Sequence, residues 1–247
     1  MFLQSLISQR IDNNAPVKVA LIGAGKFGSM FLSQVPTTPG LEVVIIADLI
    51  PDSAKIACKN VGWKDDLISN TEFVESGIEA ITKSEVEVVV EATGHPSAGI
   101  LHAREAFRNG KHIVMVNVEA DVLAGASLSK EAKSAGVVYS MAYGDQPALT
   151  AEIVDWARSS GFYVTAAGKG TKYLPEYHKS TPETVWNYYG LTEKDANEAG
   201  MNPKMFNSFL DGTKSSLEMA AIANACNLRV PSNLSLIHIS EPTRHSA

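Results

Sequence analysis

A glycine-rich turn placed directly after a short apolar segment constrains this chain more than any other feature of its sequence. Residues 17–28 read Val-Lys-Val-Ala-Leu-Ile-Gly-Ala-Gly-Lys-Phe-Gly. The apolar segment predicts a buried strand, and the pattern Gly-x-Gly-x-x-Gly predicts a tight turn into a helix. A second apolar segment, Leu41 to Ala47, ends in Asp48, about 20 residues after the last of these glycines.

These parts in this order are typical of a strand–turn–helix unit that binds a dinucleotide. Gly23 allows the turn, Gly25 lets the backbone approach a pyrophosphate, and Gly28 lets the helix pack against the strand. The pyrophosphate would lie at the N-terminus of a helix over residues 26–35, where unpaired amides favour an anion. The alternative is a glycine-rich turn in a nucleotide-free α/β domain. The predicted cofactor residues here are Gly23, Gly25, Lys26, Phe27, Gly28 and Asp48.

Asp48 also bears on which dinucleotide binds. Its carboxylate can accept hydrogen bonds from the adenosine ribose, but it would repel a 2′-phosphate about 4 Å away by roughly 4 kcal/mol per unit charge. The next four residues are Leu-Ile-Pro-Asp, and the nearest cation that follows is Lys55. The residues alone therefore favour NAD over NADP.

Strands and helices alternate through residues 1–160. We predict strands at 17–22, 43–47, 86–91, 112–116 and 137–140, and helices near 1–11, 26–35, 53–60, 71–82, 96–109, 121–135 and 147–159. Nearly continuous apolar strands, such as Val88–Val90, indicate a parallel sheet that is buried on both faces. The predicted fold class is α/β, a doubly wound (Rossmann) parallel sheet.

After Gly161 the pattern changes. A strand over 162–167, a polar and aromatic stretch and a helix over 211–225 predict a truncated α+β substrate domain. We therefore predict an NAD(P)-binding domain over residues 1–160, a partial substrate domain over 161–233 and a non-native tail over 234–247. The tail contains Leu-Ser-Leu-Ile-His-Ile-Ser-Glu-Pro-Thr-Arg-His, which resembles a translated sequencing adapter, so we expect the natural protein to continue differently beyond Asn233.

Composition excludes several classes of partner. The net charge is −6 and no run of Lys and Arg is present, so neither nucleic acid nor a membrane surface is an expected partner. No apolar run reaches the roughly 18 residues of a membrane span. Cys58 and Cys226 have no metal-ligand spacing, and no signal peptide is evident, which predicts a cytoplasmic protein with reduced thiols.

Polar residues follow three of the predicted strands. Ligands of an open parallel sheet bind beyond the carboxyl ends of its strands, so these residues would share one rim. We predict that Thr93, Gly94, His95, Asn117 and Glu119 contribute to the cofactor site. Asp145 is a candidate acid, base or metal ligand. The alternative is that Asp145 and Glu119 only begin helices.

Several motifs resemble the homoserine-dehydrogenase-like oxidoreductases, and within them the 1-deoxy-D-xylulose 5-phosphate reductoisomerase-like branch with a C-terminal antifreeze-like (SAF) domain. The resemblance spans about residues 11–227. Its motifs are Glu91-Ala-Thr-Gly, Met115-Val-Asn-Val-Glu-Ala-Asp, Tyr143-Gly-Asp-Gln-Pro, Lys172-Tyr-Leu-Pro-Glu-Tyr-His, Ser180-Thr-Pro-Glu-Thr-Val-Trp and Asn202-Pro-Lys-Met-Phe-Asn-Ser-Phe-Leu-Asp-Gly.

The resemblance implies a nicotinamide-dependent oxidoreductase. In that branch it implies conversion of 1-deoxy-D-xylulose 5-phosphate to 2-C-methyl-D-erythritol 4-phosphate with NADPH, so both NADP and NAD stay open. A divalent metal is a further possibility of the branch, although no spacing here predicts its ligands. We also expect a small-molecule substrate and a homo-oligomer. The alternatives are a dehydrogenase of a four-carbon hydroxy acid or polyol phosphate, and a non-catalytic nucleotide-sensing protein.

This chain departs from the homoserine dehydrogenases at two places. Where they carry a lysine after a strand, this chain has Asn-Val-Glu-Ala, residues 117–120. Where they carry an Asp and a Lys four residues apart on a helix, alignment on Gly212 places Lys214 and Glu218, so the charges are exchanged. Homoserine itself is therefore a poor substrate candidate, while a cation and a carboxylate remain one helical turn apart.

The candidate catalytic residues lie mostly in the second domain. Lys169, Lys172, Lys204 and Lys214 are cations that could bind a phosphate or polarise a carbonyl, or could simply be solvated. His178 is a candidate proton donor, with a surface loop position as the alternative. The residues selected are Lys172, Lys204, Asp145, His178, Lys214 and Glu218.

Overall fold

The structure, a computed structural model, describes residues 3–170 and 174–230, which form two compact units that divide between Ala142 and Tyr143. Unit 1 holds β1 (Val17–Ile22), β2 (Leu41–Ala47), β3 (Glu72–Val74), β4 (Val88–Glu91), β5 (His112–Met115), β6 (Tyr139–Met141), α1 (Leu3–Asp12), α2 (Lys26–Gln34), α3 (Pro51–Asn60), α4 (Asp65–Ser69), α5 (Gly77–Thr82), α6 (Pro96–Arg108) and α7 (Val118–Ser134). Unit 2 holds α8 (Gln146–Ser159), α9 (Val185–Tyr189), α10 (Glu193–Glu198), α11 (Pro203–Leu210) and α12 (Thr213–Cys226). None of these helices is long and apolar enough to cross a membrane.

The six strands form one parallel sheet in the order β3-β2-β1-β4-β5-β6. Strands β2 and β3 lie on one side of β1, and β4, β5 and β6 lie on the other side. The strand order thus reverses between β1 and β4, which is where an open sheet of this type leaves a crevice for ligands. The predicted doubly wound Rossmann sheet is confirmed.

Burial of the sheet on both faces follows from the alternation of side chains along β1. Val19 and Leu21 pack in one core cluster with Leu32 of α2, whereas Ala20 and Ile22 pack in another with Phe107 of α6. Successive residues of a strand point to opposite faces, so helices cover both sides of the sheet. This burial on both faces explains the nearly continuous apolar sequence of the strands.

The helix predicted over residues 71–82 is wrong in its first part. Residues 72–74 form strand β3 against β2, and α5 begins only at Gly77. Thr71 donates its hydroxyl to the carbonyl of Val43, and Ser76 caps α5 by accepting from the amide of Glu79. A three-residue edge strand carries too little periodicity to be distinguished from a helix in the sequence. Helix α4 was also not predicted.

Unit 2 is helical in its described part. Val154 of α8 packs against Met219 and Ile222 of α12, and Trp186 lies in a second cluster with Phe206. The strand predicted over residues 162–167 is wrong, because these residues adopt no regular structure. The described part of unit 2 offers no strand to pair with them.

The units divide earlier than the domain boundary predicted at residue 160. Helix α8 packs with α12 in unit 2, through Val154 and through a hydrogen bond from Arg158 to the carbonyl of Cys226. The predicted tail, residues 234–247, lies outside the described residues.

Candidate functional site

The turn after β1 requires glycine at two of its three glycine positions. Gly23 has φ of 94°, and a Cβ there would lie 2.8 Å from the carbonyl oxygen of Ala92. A Cβ at Gly28 would lie 2.2 Å from the carbonyl oxygen of Gly23, so only glycine lets α2 pack this close. A Cβ at Gly25, in contrast, would meet nothing within 4 Å. The fold therefore needs Gly23 and Gly28, while Gly25 borders open space.

The N-terminus of α2 lies at this open space. Gly25 is its N-cap residue and no side chain caps the first turn, which contains the exposed residues Lys26 and Phe27. The first amides of a helix have no partner within it, and together with the helix dipole they favour an anion. A glycine whose side-chain position is open and an uncapped helix start fit the pyrophosphate of a dinucleotide.

Asp48 connects the ends of β1 and β2. Its Oδ2 accepts from the amide of Ala24 at 2.9 Å, and its Oδ1 accepts from the amide of Ile50 at 3.0 Å. A carboxylate has about four lone-pair positions, so it retains acceptor capacity for ribose hydroxyl groups. Lys55, the nearest cation that follows, pairs with Asp52 at 3.2 Å and lies over the ring of Phe73.

The predicted residues after β4 and β5 meet in one hydrogen-bond network. Asn117 caps α7 through its Oδ1, while its Nδ2 donates to the carbonyl of His95 at 2.9 Å and to Oγ1 of Thr93 at 3.4 Å. The amide of His95 donates to Oγ1 of Thr93 at 3.3 Å. Between them Gly94 adopts φ of 68°. Glu119 lies exposed in the first turn of α7.

A buried carboxylate lies beneath this network. Glu91, the last residue of β4, is completely buried, and its Oε1 accepts from the hydroxyl of Thr93 and lies 3.2 Å from Nδ1 of His102. Its Oε2 has no hydrogen-bond partner among the described residues. Glu91 and His102 are absent from the predicted site residues. The sequence contained one sign of this pair, namely a glutamate at the end of a strand that is otherwise all valine, with a histidine on the helix that follows.

In unit 2 the structure brings together two of the predicted catalytic residues and one further cation. Glu218 of α12 is 1% exposed, Nζ of Lys214 lies 3.4 Å from its Oε1, and Nζ of Lys169 pairs with its Oε2. We call Lys169, Lys214 and Glu218 the lysine–glutamate cluster. Lys169 is one of the candidate cations of the sequence, but it lies outside the motifs of the resemblance and is absent from the selected residues. Nothing local in the sequence relates it to a helix so much later in the chain.

Other predicted residues of unit 2 cap a helix or lie exposed on short helices. Asp145 is the N-cap of α8, and its Oδ1 accepts from the amide of Gln146. His178 and Lys204 are exposed on separate short helices. A hydrogen bond from Thr181 lowers the pKa of Glu183, and the charge of Lys204 lowers it further. Lys172 lies outside the described residues.

The described residues offer no cluster of metal ligands, and both of their cysteines are buried. Within residues 3–170 and 174–230, no three His, Cys, Asp or Glu side chains are grouped so that they could hold a metal ion. Burial raises the pKa of Cys58 to about 11, and burial also raises the pKa of Cys226. Both buried thiols therefore remain protonated near neutral pH.

Two family models divide the chain at nearly the same place as its compact units. The model described as "Oxidoreductase family, NAD-binding Rossmann fold" (GFO_IDH_MocA) matches residues 17–143. The model described as "Oxidoreductase DRL, catalytic domain" matches residues 144–242. No curated protein matches the chain significantly.

The solved structures that resemble this chain are longer than it. A homoserine dehydrogenase from Thiobacillus denitrificans is 15% identical over 89% of this chain and 50% of its own, with a TM-score of 0.58. A myo-inositol dehydrogenase from Lactobacillus casei, solved with NAD(H) and myo-inositol, is 16% identical over 69% and 50%, with a TM-score of 0.47. The oxidoreductase yvaA from Bacillus subtilis is 21% identical over 59% and 40%, with a TM-score of 0.44. The chain thus spans half or less of the length of these structures.

Proposed function

This chain belongs to the GFO_IDH_MocA family of oxidoreductases with an NAD-binding Rossmann fold, and we propose that it transfers a hydride between a nicotinamide dinucleotide and the carbonyl or alcohol of a small anionic substrate. The family match confirms the predicted class of enzyme and of cofactor. The observation that carries the proposed reaction is the lysine–glutamate cluster of unit 2.

The lysine–glutamate cluster holds more positive than negative charge. Two ammonium groups share one buried carboxylate, so the cluster has a formal charge of +1 that a substrate oxygen or an acidic substrate group can neutralise. The side chain of Lys214 is 33% exposed and that of Lys169 is 18% exposed, while Glu218 is 1% exposed. The ammonium groups can therefore be reached from solvent, and the carboxylate that orients them cannot.

The proposed roles of the side chains follow from this arrangement. When bound, the dinucleotide supplies or accepts the hydride. In the direction of reduction, Lys214 donates a proton from Nζ to the substrate oxygen as the carbonyl becomes an alcohol, and it receives that proton in the reverse direction. Glu218 fixes the position of Nζ, and Lys169 adds the charge that attracts an anionic substrate.

We propose NAD as the preferred cofactor. Asp48 lies at the end of β2, where a 2′-phosphate would be placed, and its carboxylate is fixed by two backbone amides. Lys55 is paired with the exposed Asp52, so part of its charge is already offset by another carboxylate. The preference for NADPH implied by the resemblance would require Asp48 to turn away from both amides.

For the substrate, we propose a small sugar or polyol phosphate, as the reductoisomerase-like resemblance implies. In the reductoisomerase version, 1-deoxy-D-xylulose 5-phosphate rearranges before the reduction that gives 2-C-methyl-D-erythritol 4-phosphate. The excess positive charge of the lysine–glutamate cluster supports a phosphorylated substrate. The second candidate is a four-carbon hydroxy acid. It is supported by the acid–lysine pair on α12, although the lysine precedes the acid here, the reverse of the order in the homoserine dehydrogenases.

Turnover of the nicotinamide cofactor tests these proposals. The chain would be mixed with NADH or NADPH and 1-deoxy-D-xylulose 5-phosphate, and separately with NAD⁺ or NADP⁺ and four-carbon hydroxy acids, while the nicotinamide absorbance is followed. Oxidation of NADH by the sugar phosphate supports the first substrate, and reduction of NAD⁺ by a hydroxy acid supports the second. Nucleotide binding without turnover of either class would instead favour the nucleotide-sensing alternative and contradict the proposed reaction.

A further inference from the structure

The direction in which a dinucleotide lies on unit 1 follows from the strand order. Asp48 after β2 marks the adenosine ribose, and the N-terminus of α2 after β1 marks the pyrophosphate. The rest of the cofactor must continue past β1, across the point where the strand order reverses, to the loops after β4 and β5. When bound, the nicotinamide half would therefore lie near residues 92–95 and Asn117.

The loop after β4 also touches the glycine turn. A Cβ at Gly23 would lie 2.8 Å from the carbonyl oxygen of Ala92 and 3.1 Å from the amide nitrogen of Thr93. Any shift of residues 92–95 would therefore change the space left for the cofactor. The conformation of this short loop must therefore be fixed by contacts with buried residues.

Glu91 provides that fixation. It is completely buried at the end of β4, and its Oε1 accepts from the hydroxyl of Thr93, whose oxygen accepts in turn from the amide of His95. His102 of α6 lies 3.2 Å from the same Oε1 and holds the carboxyl group from the other side. The hydroxyl of Thr93 thus has a buried acceptor that is itself held in place by a second element, which fixes its orientation.

The cost of this arrangement indicates that it has a use beyond packing. Oε2 of Glu91 is buried and has no hydrogen-bond partner among the described residues. A buried acceptor without a partner reduces stability, and apolar side chains fill the rest of β4. An apolar residue at position 91 would avoid this penalty but would leave the Thr93 hydroxyl without its acceptor.

We propose that Glu91 is a positioning residue that acts through Thr93 to hold the loop at residues 93–95 in the conformation that receives the nicotinamide ring of the cofactor. Glu91 does not touch the cofactor itself, because it is buried. The inference rests on the NAD-binding of the family and is independent of the substrate proposed above.

The test compares two ligands that share the adenosine and pyrophosphate parts. NADH carries the nicotinamide group, ADP-ribose lacks it, and calorimetry on the full chain gives both dissociation constants. For Thr93→Val we expect about ten-fold weaker binding of NADH, as is usual for the loss of one well-placed hydrogen bond, and less than two-fold weaker binding of ADP-ribose. Thr93→Ser, which keeps the hydroxyl, should restore most of the NADH affinity. Thr82→Val, which removes a hydroxyl bonded to the carbonyl of Glu79, is the matched control.

Variants of Glu91 separate positioning from direct contact by Thr93. Glu91→Leu should also weaken NADH binding about ten-fold and leave ADP-ribose binding nearly unchanged. Adding Thr93→Val should cause little further loss of NADH affinity, since both substitutions remove the same hydrogen bond. If Glu91→Leu does not fold, Glu91→Gln is used instead. We expect it to weaken NADH binding about three-fold and to leave ADP-ribose binding unchanged. Wild-type NADH affinity in the Glu91 variant, or equal losses for NADH and ADP-ribose, would overturn the proposal.

Discussion

Lys214 and Glu218 are ion-paired across one turn of α12, with Nζ of Lys214 3.4 Å from Oε1 of Glu218. Glu218 is buried, so the pair differs from a solvated surface pair of the same spacing. Such a surface pair occurs on α10, where Nζ of Lys194 lies 3.8 Å from Oε1 of Glu198 and both side chains are exposed. The two pairs share residue types and spacing, and burial of the carboxylate distinguishes them.

We expect Lys214→Met to lower kcat by about a hundred-fold or more, because the proposed proton donor is lost. The dissociation constant of NADH should remain within two-fold of the wild type. Lys194→Met removes a lysine with the same spacing to a glutamate and should leave kcat unchanged. Equal effects of the two substitutions in a cofactor-turnover assay would contradict the role assigned to Lys214.

Substitution of Gly28 by alanine should mainly reduce stability, whereas substitution of Gly25 should mainly reduce NADH binding. A Cβ at Gly28 would collide with the carbonyl of Gly23, so we expect Gly28→Ala to lower the free energy of unfolding by about 2 kcal/mol. Gly25 has φ of −67° and open space, so Gly25→Ala should cost less than about 1 kcal/mol but weaken NADH binding at least ten-fold by blocking the pyrophosphate. Urea unfolding and calorimetry measure the two quantities. A Gly25→Ala variant with unchanged NADH affinity would exclude the turn as the pyrophosphate site.

Asp48→Asn should narrow the preference for NADH over NADPH. The amide oxygen of asparagine can still accept one of the two backbone hydrogen bonds, while the charge that repels a 2′-phosphate is removed. Because that repulsion is of the order of 4 kcal/mol at 4 Å, even partial relief should change the ratio of the two dissociation constants by about ten-fold or more. Asp65→Asn removes an exposed carboxylate that is not the partner of Lys55, and it is the matched control. The prediction fails if both variants alter the ratio equally.

Asp121 should make the stability of unit 1 dependent on pH. Burial raises its pKa, partly offset by the hydrogen bond from the hydroxyl of Tyr139. The folded state therefore holds the proton more tightly than the unfolded state, so this residue reduces stability as pH rises from about 4 through the folded-state pKa.

Asp121→Asn does not titrate, so its stability relative to the wild type should increase between pH 4 and pH 7. Urea unfolding at both pH values measures the difference, and Asp66→Asn, which removes an exposed carboxylate, is the control. A difference between Asp121→Asn and the wild type that is the same at both pH values would refute the prediction.

Much of unit 1 could be predicted from local sequence. The apolar segments at β1 and β2 and the spacing of Gly23, Gly25 and Gly28 gave the strands, the turn and the start of α2, because burial on both faces and close backbone approach each require particular residue types. Strand β3 could not be predicted in this way. Three residues become a strand there only because the edge of β2 is available for pairing.

Residue types within short segments are enough to predict the doubly wound sheet, the turn that fits a pyrophosphate and the position of Asp48. The pairing of Lys169 with Glu218, and the carboxylate of Glu91 that His102 and Thr93 share, follow instead from the packing of distant elements. The hydrophobic periodicity of a segment indicates which face of the element is buried. The partner of a buried charge, in contrast, depends on how distant elements pack against one another.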